Sequence, residues 1–200
     1  MKNLIFRGIA TAMVTPMTAT GVDYDALARF IDFQLEEGIN ALVAVGTTGE
    51  SATLTPEERT EVIRFCVERV DGRVPVIAGS GSNNTAKAIE LSREAEALGV
   101  DGLLIVTPYY NKTSQAGLVA HYGAVCEQVH LPILVYNVPS RTGLNVLPAT
   151  MQKIMGECEN VVGIKEASGN IEQIVNLAAL CPGLDIYSGN DDHILPVLSV

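Results

Sequence analysis

One repeated pattern constrains the fold of this chain more than any other feature of its sequence. A short apolar run ends in a cluster of Gly, Thr, Asn or Lys, and an amphipathic segment follows it. Continuously apolar runs of this length are typical of strands buried on both faces, as in parallel sheets. The pattern predicts seven strands, at Gly8–Val14, Ala41–Val45, Val74–Ala78, Gly102–Val106, Ile133–Asn137, Val161–Lys165 and Asp185–Ser188.

The segments between these runs carry helix signals. Asp23 can cap a helix that ends at Gly38, and Asn170 can cap another. Residues 55–58, Thr-Pro-Glu-Glu, have the spacing of a capping box with Pro at the first helical position. The apolar faces expected for these three helices are Leu27, Phe30, Ile31 and Leu35; Ile171, Ile174, Val175 and Ala178; and Val62, Ile63, Cys66, Val67 and Val70.

The spacing of the strands predicts the fold class. Strand starts recur about every 23 to 33 residues, which fits βα units and a (β/α)8 TIM barrel of the α/β class. A doubly wound sheet would favour a glycine fingerprint at its first turn, where this chain has Thr15–Thr18. We therefore expect one barrel-type catalytic domain over residues 1–200. The chain stops within the helix-like segment Ile194–Val200, so we expect it to end before the eighth strand.

Net charge and the lengths of the apolar runs disfavour several partners and locations. The formal net charge of −10 disfavours nucleic acid and anionic membrane surfaces. No apolar run is long enough to cross a bilayer. The first residues lack an apolar region followed by a cleavage site, so we expect a cytoplasmic protein.

Metal, disulfide and phosphate sites are also disfavoured. The four cysteines are scattered, without the close spacing of a zinc site or a disulfide framework. His193 beside Asp191 and Asp192 could suggest a metal site, but a polar loop at a helix start is favoured. The turn at Gly79–Asn84 lacks the third glycine and the lysine of known phosphate-binding loops, so we favour a tight βα turn.

Lys165 is the residue that points to chemistry. It closes the apolar run Val161–Ile164, and side-chain alternation can direct it into the barrel. Burial lowers the pKa of an amine and leaves more of the neutral nucleophile, which condenses with ketones. A lysine that leaves a strand for solvent is the alternative.

Other strand ends carry polar groups that suit a carbonyl acid. Thr47 and Thr48 lie between glycines and could hold a carboxylate, although a plain turn explains them too. Tyr136 lies at the end of a strand adjacent to that of Lys165, where it could relay protons or simply pack in the core. Arg141 follows a Pro in a predicted loop, where it could bind a second carboxylate or remain solvated. Because reactive groups of such barrels converge at these ends, the set predicts a site for two carbonyl acids.

Four segments carry a family resemblance along essentially the whole chain. They are GTTGES at 46–51, VTPYYNK at 106–112, YNVPSRTG at 136–143 and GIKEASG at 163–169. In this order they resemble the dihydrodipicolinate synthase family of Schiff-base-forming pyruvate aldolases. Arg141 and the paired threonines favour the synthase over its sialic-acid-cleaving and sugar-acid-cleaving relatives.

The resemblance implies a lyase of the diaminopimelate route to lysine, acting on pyruvate and aspartate semialdehyde without a metal or organic cofactor. It implies that pyruvate forms an imine on Lys165. The proton relay would consist of Tyr136, Thr47 and Tyr110, the last contributed across a subunit interface of a homotetramer built as two dimers. Thr48 with Thr47 would hold the carboxylate of pyruvate, and Arg141 would hold the carboxylate of aspartate semialdehyde. The carbonyl of Gly189 would contact the aldehyde end.

Two alternatives and one departure accompany this expectation. The chain could be another pyruvate-dependent aldolase, such as N-acetylneuraminate lyase, or a catalytically silent truncated barrel. Some family members bind lysine as a feedback inhibitor through histidines and a glutamate, whereas this chain has Pro56, Arg59 and Lys87 at the matching positions. Like charges repel, so we expect weak or absent inhibition by lysine.

Overall fold

The structure is a computed structural model that describes residues 4–200. Its strands are β1 (Ala10–Ala12), β2 (Met17–Thr18), β3 (Gly21–Val22), β4 (Ala41–Ala44), β5 (Val76–Gly79), β6 (Gly102–Val106), β7 (Ile133–Asn137), β8 (Val161–Glu166) and β9 (Asp185–Ser188). Its helices are α1 (Tyr24–Glu36), α2 (Pro56–Val70), α3 (Thr85–Ala97), α4 (Gln115–Cys126), α5 (Pro139–Thr142), α6 (Pro148–Glu157), α7 (Ile171–Leu180) and α8 (Ile194–Leu198), the last preceded by a 3-10 turn at Asp191–His193.

The main sheet has seven strands in the order β1-β4-β5-β6-β7-β8-β9. The strand pairs with described registers in this sheet are parallel. Each strand of this sheet thus neighbours the next strand of the same sheet along the chain, whereas the strand order of a doubly wound sheet reverses at a switch point. The predicted α/β class with successive βα units is confirmed, and so are the seven predicted strands.

The predicted strand bounds are matched at β6, β7 and β9 and differ by a few residues elsewhere. The first strand is shorter than predicted, and β8 extends one residue further, to Glu166. A short hairpin follows β1, in which the two-residue strands β2 and β3 pair; it was not predicted. Strands this short leave almost no periodic signal in a sequence.

The predicted helix starts are confirmed by their capping hydrogen bonds. Asp23 accepts from the Ala26 N–H at 2.9 Å, and Asn170 accepts from the Gln173 N–H at 3.1 Å. Thr55 and Glu58 form the reciprocal capping box. One apolar position was misassigned, since Val175 on α7 is 45% exposed.

The described residues group into two compact units. The N-terminal unit comprises Ile5–Ser80 and Arg93–Leu104, and the C-terminal unit comprises Leu4, Gly81–Ser92 and Ile105–Val200. Strand β6 begins in the first and ends in the second. The largest fully buried side chains are Leu27, Ile31, Leu42, Ile63, Ile77 and Leu103 in the N-terminal unit, and Ile105, Leu118, Tyr122, Ile133, Met151 and Ile154 in the C-terminal unit.

Residues 4–200 contain neither a candidate membrane span nor a candidate metal cluster. No helix there is both long enough and apolar enough to span a membrane. No group of three or more His, Cys, Asp or Glu side chains in that range could hold a metal ion.

Candidate active site

Strands β7 and β8 bring Lys165 beside Tyr136. The two residues are Cα partners across the parallel pair, so their side chains lie on the same face of the sheet. Lys165 Nζ lies 4.6 Å from the centroid of the Tyr136 ring. Space on this face is tight, because a Cβ added to Gly163 would lie 2.8 Å from Leu134 Cδ2.

The environment of Lys165 lowers the pKa of its amine. Burial lowers the pKa of Lys165, and the positive charge of Arg141 lowers it further, while the negative charge of Asp191 opposes both. The net direction is downward, so burial outweighs the carboxylate. More of the amine is therefore unprotonated at neutral pH than in an exposed lysine, as nucleophilic attack requires.

Gly189, which follows β9, packs against the aliphatic part of Lys165. A Cβ at this position would lie 3.2 Å from Lys165 Cε and 2.8 Å from Ala167 Cβ. The Gly189 N–H donates to the Glu166 carbonyl at 2.8 Å, which fixes the turn after β9 against the end of β8. A glycine here leaves room for the lysine side chain.

Arg141 lies on a short helix rather than in the loop that the sequence predicted. Helix α5 begins directly after β7, with Pro139 at its first position and Gly143 beyond its end at φ +69°. Its guanidinium is exposed, and its charge acts on Lys165 as described above. The exposed side chain is available to an anionic ligand.

Tyr110 is the predicted relay residue that points away from its own unit. Its side chain is 88% exposed and its backbone has φ +71°, a conformation that costs a non-glycine residue about 1–3 kcal/mol. The loop is held on both sides: Asn111 Nδ2 donates to the Asn83 carbonyl at 3.1 Å, and Lys112 Cε lies 2.7 Å from where a Gly143 Cβ would be.

Thr47 and Thr48 belong to the N-terminal unit and follow β4 in a turn. Both side chains are exposed. The turn closes with the Glu50 N–H donating to the Thr47 carbonyl at 3.1 Å, and Thr15 Oγ1 donates to the Gly49 carbonyl at 2.8 Å. Two hydroxyls thus project from a fixed turn, as the sequence predicted.

The backbone that leads into this turn is strained and closely packed. Val45 has φ +46° although it is β-branched and buried. A Cβ on Gly79 would lie 2.6 Å from the Val45 carbonyl oxygen and 3.0 Å from Gly46 Cα. Arg59 is buried and its Nη2 donates to the Gly79 carbonyl at 2.7 Å. Arg59 is therefore part of the support of β5, which its sequence position did not indicate.

Buried polar residues on the opposite face of β7 and β8 were not predicted. Asn137 and Glu166 are Cα partners one residue beyond Tyr136 and Lys165, and both are buried. Their side chains are hydrogen-bonded to each other, and the Glu166 carboxyl also accepts from Gln173 of α7. The signal in the sequence was a polar residue at the last position of each apolar strand.

Comparisons with known proteins agree with this geometry. A sequence model of the dihydrodipicolinate synthetase family matches residues 5–200. The chain belongs to this family. It is 54% identical over 197 residues to the 4-hydroxy-tetrahydrodipicolinate synthase of Clostridium tetani, an alignment that covers 98% of this chain and 67% of the relative.

Solved structures of the family have the same backbone. Dihydrodipicolinate synthase from Thermotoga maritima superposes with a TM-score of 0.95 at 46% identity, over 98% of this chain and 68% of that one. The chloride-inhibited enzyme from Acinetobacter baumannii, solved in complex with pyruvate, superposes with a TM-score of 0.93 at 43% identity, over 98% and 67%. The chain thus spans about two thirds of the length of the family members it matches.

Proposed function

We propose that this chain carries the catalytic residues of a 4-hydroxy-tetrahydrodipicolinate synthase. This lyase would condense pyruvate with L-aspartate 4-semialdehyde in the diaminopimelate route to lysine. The observation that carries the proposal is the buried amine of Lys165, held over the Tyr136 ring at the end of β8. Family membership and the pyruvate complex of the Acinetobacter relative support it.

The first half of the reaction is imine formation. The neutral Lys165 amine attacks the C2 carbonyl of pyruvate and forms a carbinolamine, which loses water to give the imine. Tyr136 is the proposed proton carrier for these steps, because its side chain lies beside the amine. Thr47 and Tyr110 complete the proposed relay, and Thr48 together with Thr47 binds the pyruvate carboxylate.

The second half forms the carbon–carbon bond. The imine loses a proton from the pyruvate methyl carbon, and the resulting enamine carbon attacks the aldehyde of the second substrate. The amine of that substrate then attacks the imine carbon, closes the ring and releases Lys165 unchanged. Arg141 binds the carboxylate of this substrate in the proposal, and the Gly189 carbonyl contacts its aldehyde end. Every bond that forms or breaks in these steps involves only Lys165, the two substrates, protons and water, so the proposal needs no metal or organic cofactor.

Reductive trapping tests the imine. The protein is incubated with pyruvate, treated with borohydride and digested, and the adduct is located by peptide mass spectrometry. We expect a stable adduct on the peptide that contains Lys165 and none after Lys165→Arg. Lys153→Arg is the matched control, because Lys153 is exposed on α6 and should leave trapping unchanged. A folded protein with no adduct on Lys165 would reject the proposal.

The acceptor aldehyde separates the synthase from its relatives. A trapped enzyme that consumes pyruvate only when aspartate semialdehyde is added supports the synthase. Trapping without consumption of that aldehyde, together with cleavage of N-acetylneuraminate, would assign the chain to another pyruvate aldolase. If the protein shows no cooperative thermal transition, or if pyruvate does not shift that transition, the chain would instead be the silent barrel.

The proposal includes a homotetramer and a cytoplasmic location. The 88% exposure of Tyr110 supports the oligomer, because a relay residue facing away from its own unit can act in a second copy. Sedimentation analysis of the protein and of Tyr110→Phe tests this part. We expect both to assemble alike, with slower turnover in the variant. Fractionation of cell extracts tests the location.

A further inference from the structure

The buried carboxyl group of Glu166 is the feature that the proposed chemistry leaves unexplained. Glu166 is 1% exposed, yet its carboxyl accepts hydrogen bonds only from neutral donors in the described contacts. Asn137 Nδ2 lies 2.9 Å from Oε2 and 3.2 Å from Oε1, Gln173 Nε2 lies 3.1 Å from Oε2, and the Ser168 N–H lies 2.6 Å from Oε1. A buried acceptor is costly to desolvate, so these bonds are under strong pressure to persist.

The network extends to the loop that follows Arg141. Asn145 Oδ1 accepts from Asn137 Nδ2 at 2.8 Å and from Gln173 Nε2 at 3.2 Å, and Asn145 Nδ2 donates to Gln173 Oε1 at 2.7 Å. Asn137 Oδ1 accepts from the Val146 N–H at 3.0 Å. The segment after α5 is thereby fixed to the same two strands.

The position of the network relative to Lys165 gives it a role. Side chains alternate along a strand, so Asn137 and Glu166 occupy the face opposite to Tyr136 and Lys165, one residue further on. The Ala167 N–H also donates to the Asn137 carbonyl at 2.8 Å. Any shift of β8 along β7 would break these bonds and would move Lys165 relative to Tyr136 by the same amount.

We propose that Glu166, held by Asn137, Gln173 and Asn145, is a positioning residue that sets Lys165 against Tyr136 and anchors the segment that follows Arg141. The inference rests on the proposed function, since it concerns the reactivity of Lys165. Misplacement of a reacting group by about 1 Å can cost about a hundredfold in rate, so a network of this kind can govern the rate without touching substrate.

The decisive variant is Glu166→Gln, which replaces an acceptor oxygen with an NH2 group facing the donors of Asn137 and Gln173. We expect it to slow the borohydride trapping of pyruvate on Lys165 about tenfold or more at saturating pyruvate. Its pH midpoint for trapping should rise, because a displaced Lys165 becomes better solvated. Glu94→Gln is the matched control: Glu94 accepts from Thr60 in the N-terminal unit, and its replacement should leave trapping unchanged.

A swap tests complementarity rather than bulk stability. Glu166→Gln combined with Gln173→Glu restores a donor facing an acceptor between the two side chains, so we expect trapping in the double variant to exceed that of either single variant. Should Glu166→Gln fail to fold, Gln173→Met decides, since it removes one donor and leaves Glu166 in place. We expect slower trapping and a melting temperature lowered by a few degrees, because a buried acceptor loses one of its donors.

A second readout separates this inference from the proposed function. Acetic anhydride labelling as a function of pH measures the reactivity of the Lys165 amine without pyruvate. A changed labelling profile in the folded variants supports the positioning role even if pyruvate leaves no adduct on the wild type, an outcome that would reject only the proposed function. Trapping rates and labelling profiles equal to those of the wild type in folded Glu166→Gln would overturn the positioning role. The same result in Gln173→Met decides if Glu166→Gln does not fold. Trapping in the double variant that is no faster than in either single variant would also overturn it.

Discussion

The Lys165 end of β8 and the Thr47 turn after β4 are built by different means. Around Lys165, buried side chains hold the backbone, with Glu166 and Asn137 hydrogen-bonded behind the reactive face. Around Thr47, the backbone itself is packed closely, with Gly79 against Val45 and Gly46. One region depends on the chemical identity of its amides and carboxyls, and the other on the absence of a side chain.

The two regions therefore tolerate different substitutions. A hydrogen-bonded network can be retuned by exchanging donors and acceptors, because the shape of the side chains is conserved. A glycine whose added Cβ would lie within 3 Å of neighbouring backbone atoms cannot be exchanged in this way, because the backbone would have to move to make room for the methyl group. Substitutions in the two regions test that contrast.

Gly79→Ala should have the largest effect on stability. Its Cβ would lie 2.6 Å from the Val45 carbonyl oxygen, so the backbone of two strands must move. We expect a loss of about 3 kcal/mol in the free energy of unfolding, measured by urea titration. Gly123→Ala on α4 is the control: nothing lies within 4 Å of the added Cβ, and a gain of about 0.5–1 kcal/mol is expected. Equal stability of the two variants would remove the contrast.

Asn137→Asp should reveal the network of the Lys165 region through pH. The new carboxyl would replace the amide that lies 2.9 Å from Glu166 Oε2. Like charges at this distance raise the pKa of one carboxyl above its value in the unfolded chain. The unfolded state then loses that proton at lower pH than the folded state, so the folded state is penalised as pH rises above about 4.

The expected loss for Asn137→Asp is about 2 kcal/mol at pH 7 and smaller at pH 4. Urea titrations at both values measure it. Asn84→Asp is the control, because Asn84 Oδ1 accepts from the Ala86 N–H at the exposed start of α3 and an aspartate can replace it there. A penalty independent of pH would mean that shape rather than charge matters at position 137.

Val45→Gly should cost less than Val135→Gly, although both valines are buried. Each substitution removes the same side chain, but Val45 has φ +46° and Val135 lies within β7. Glycine relieves the strain at position 45 alone, so we expect a difference of about 1–2 kcal/mol between the two variants in thermal unfolding. Equal costs would show that Val45 stores no strain.

His121 gives a smaller effect in the C-terminal unit. Its ring is buried, Nδ1 lies 2.9 Å from Thr85 Oγ1, and burial lowers the pKa of His121. The unfolded state therefore binds a proton more readily, and stability should fall as pH drops through about 6.5, the ordinary histidine value. His121→Phe should flatten this dependence between pH 7 and 5, whereas His130→Gln at an exposed site should not. Parallel stability curves for His121→Phe and the wild type would reject this assignment.

The smallest expected effect is that of added lysine on reductive trapping, where we expect weak or absent inhibition. In the N-terminal unit the positive charge of Arg59 is buried and tied to the Gly79 carbonyl, and in the C-terminal unit Lys87 Nζ lies 2.7 Å from Glu90 Oε1. Both residues carry positive charge, which repels the ammonium groups of lysine. Inhibition at submillimolar lysine would contradict this prediction.

Much of the fold was predictable because local signals agreed with one another. The β6, β7 and β9 bounds followed from apolar runs of strand length, and the helix starts followed from Asp23, Thr55 and Asn170. The short hairpin and the exposed Val175 were missed, since neither a two-residue strand nor the exposure of one apolar residue has a periodic signature. The pairing of Lys165 with Tyr136 was expected only from the order of the strands.

The fold class, the order of the strands and the residues with reactive side chains follow from the sequence, because periodicity, capping and strand-end motifs are local properties of the chain. How those residues are held depends on the tertiary structure. The pKa of Lys165 is lowered by burial, Glu166 is enclosed by amides from β7 and α7, and Gly79 lies against Val45. Each of these depends on distances between residues far apart in the chain, and free energies of burial, charge and close contact are set by those distances.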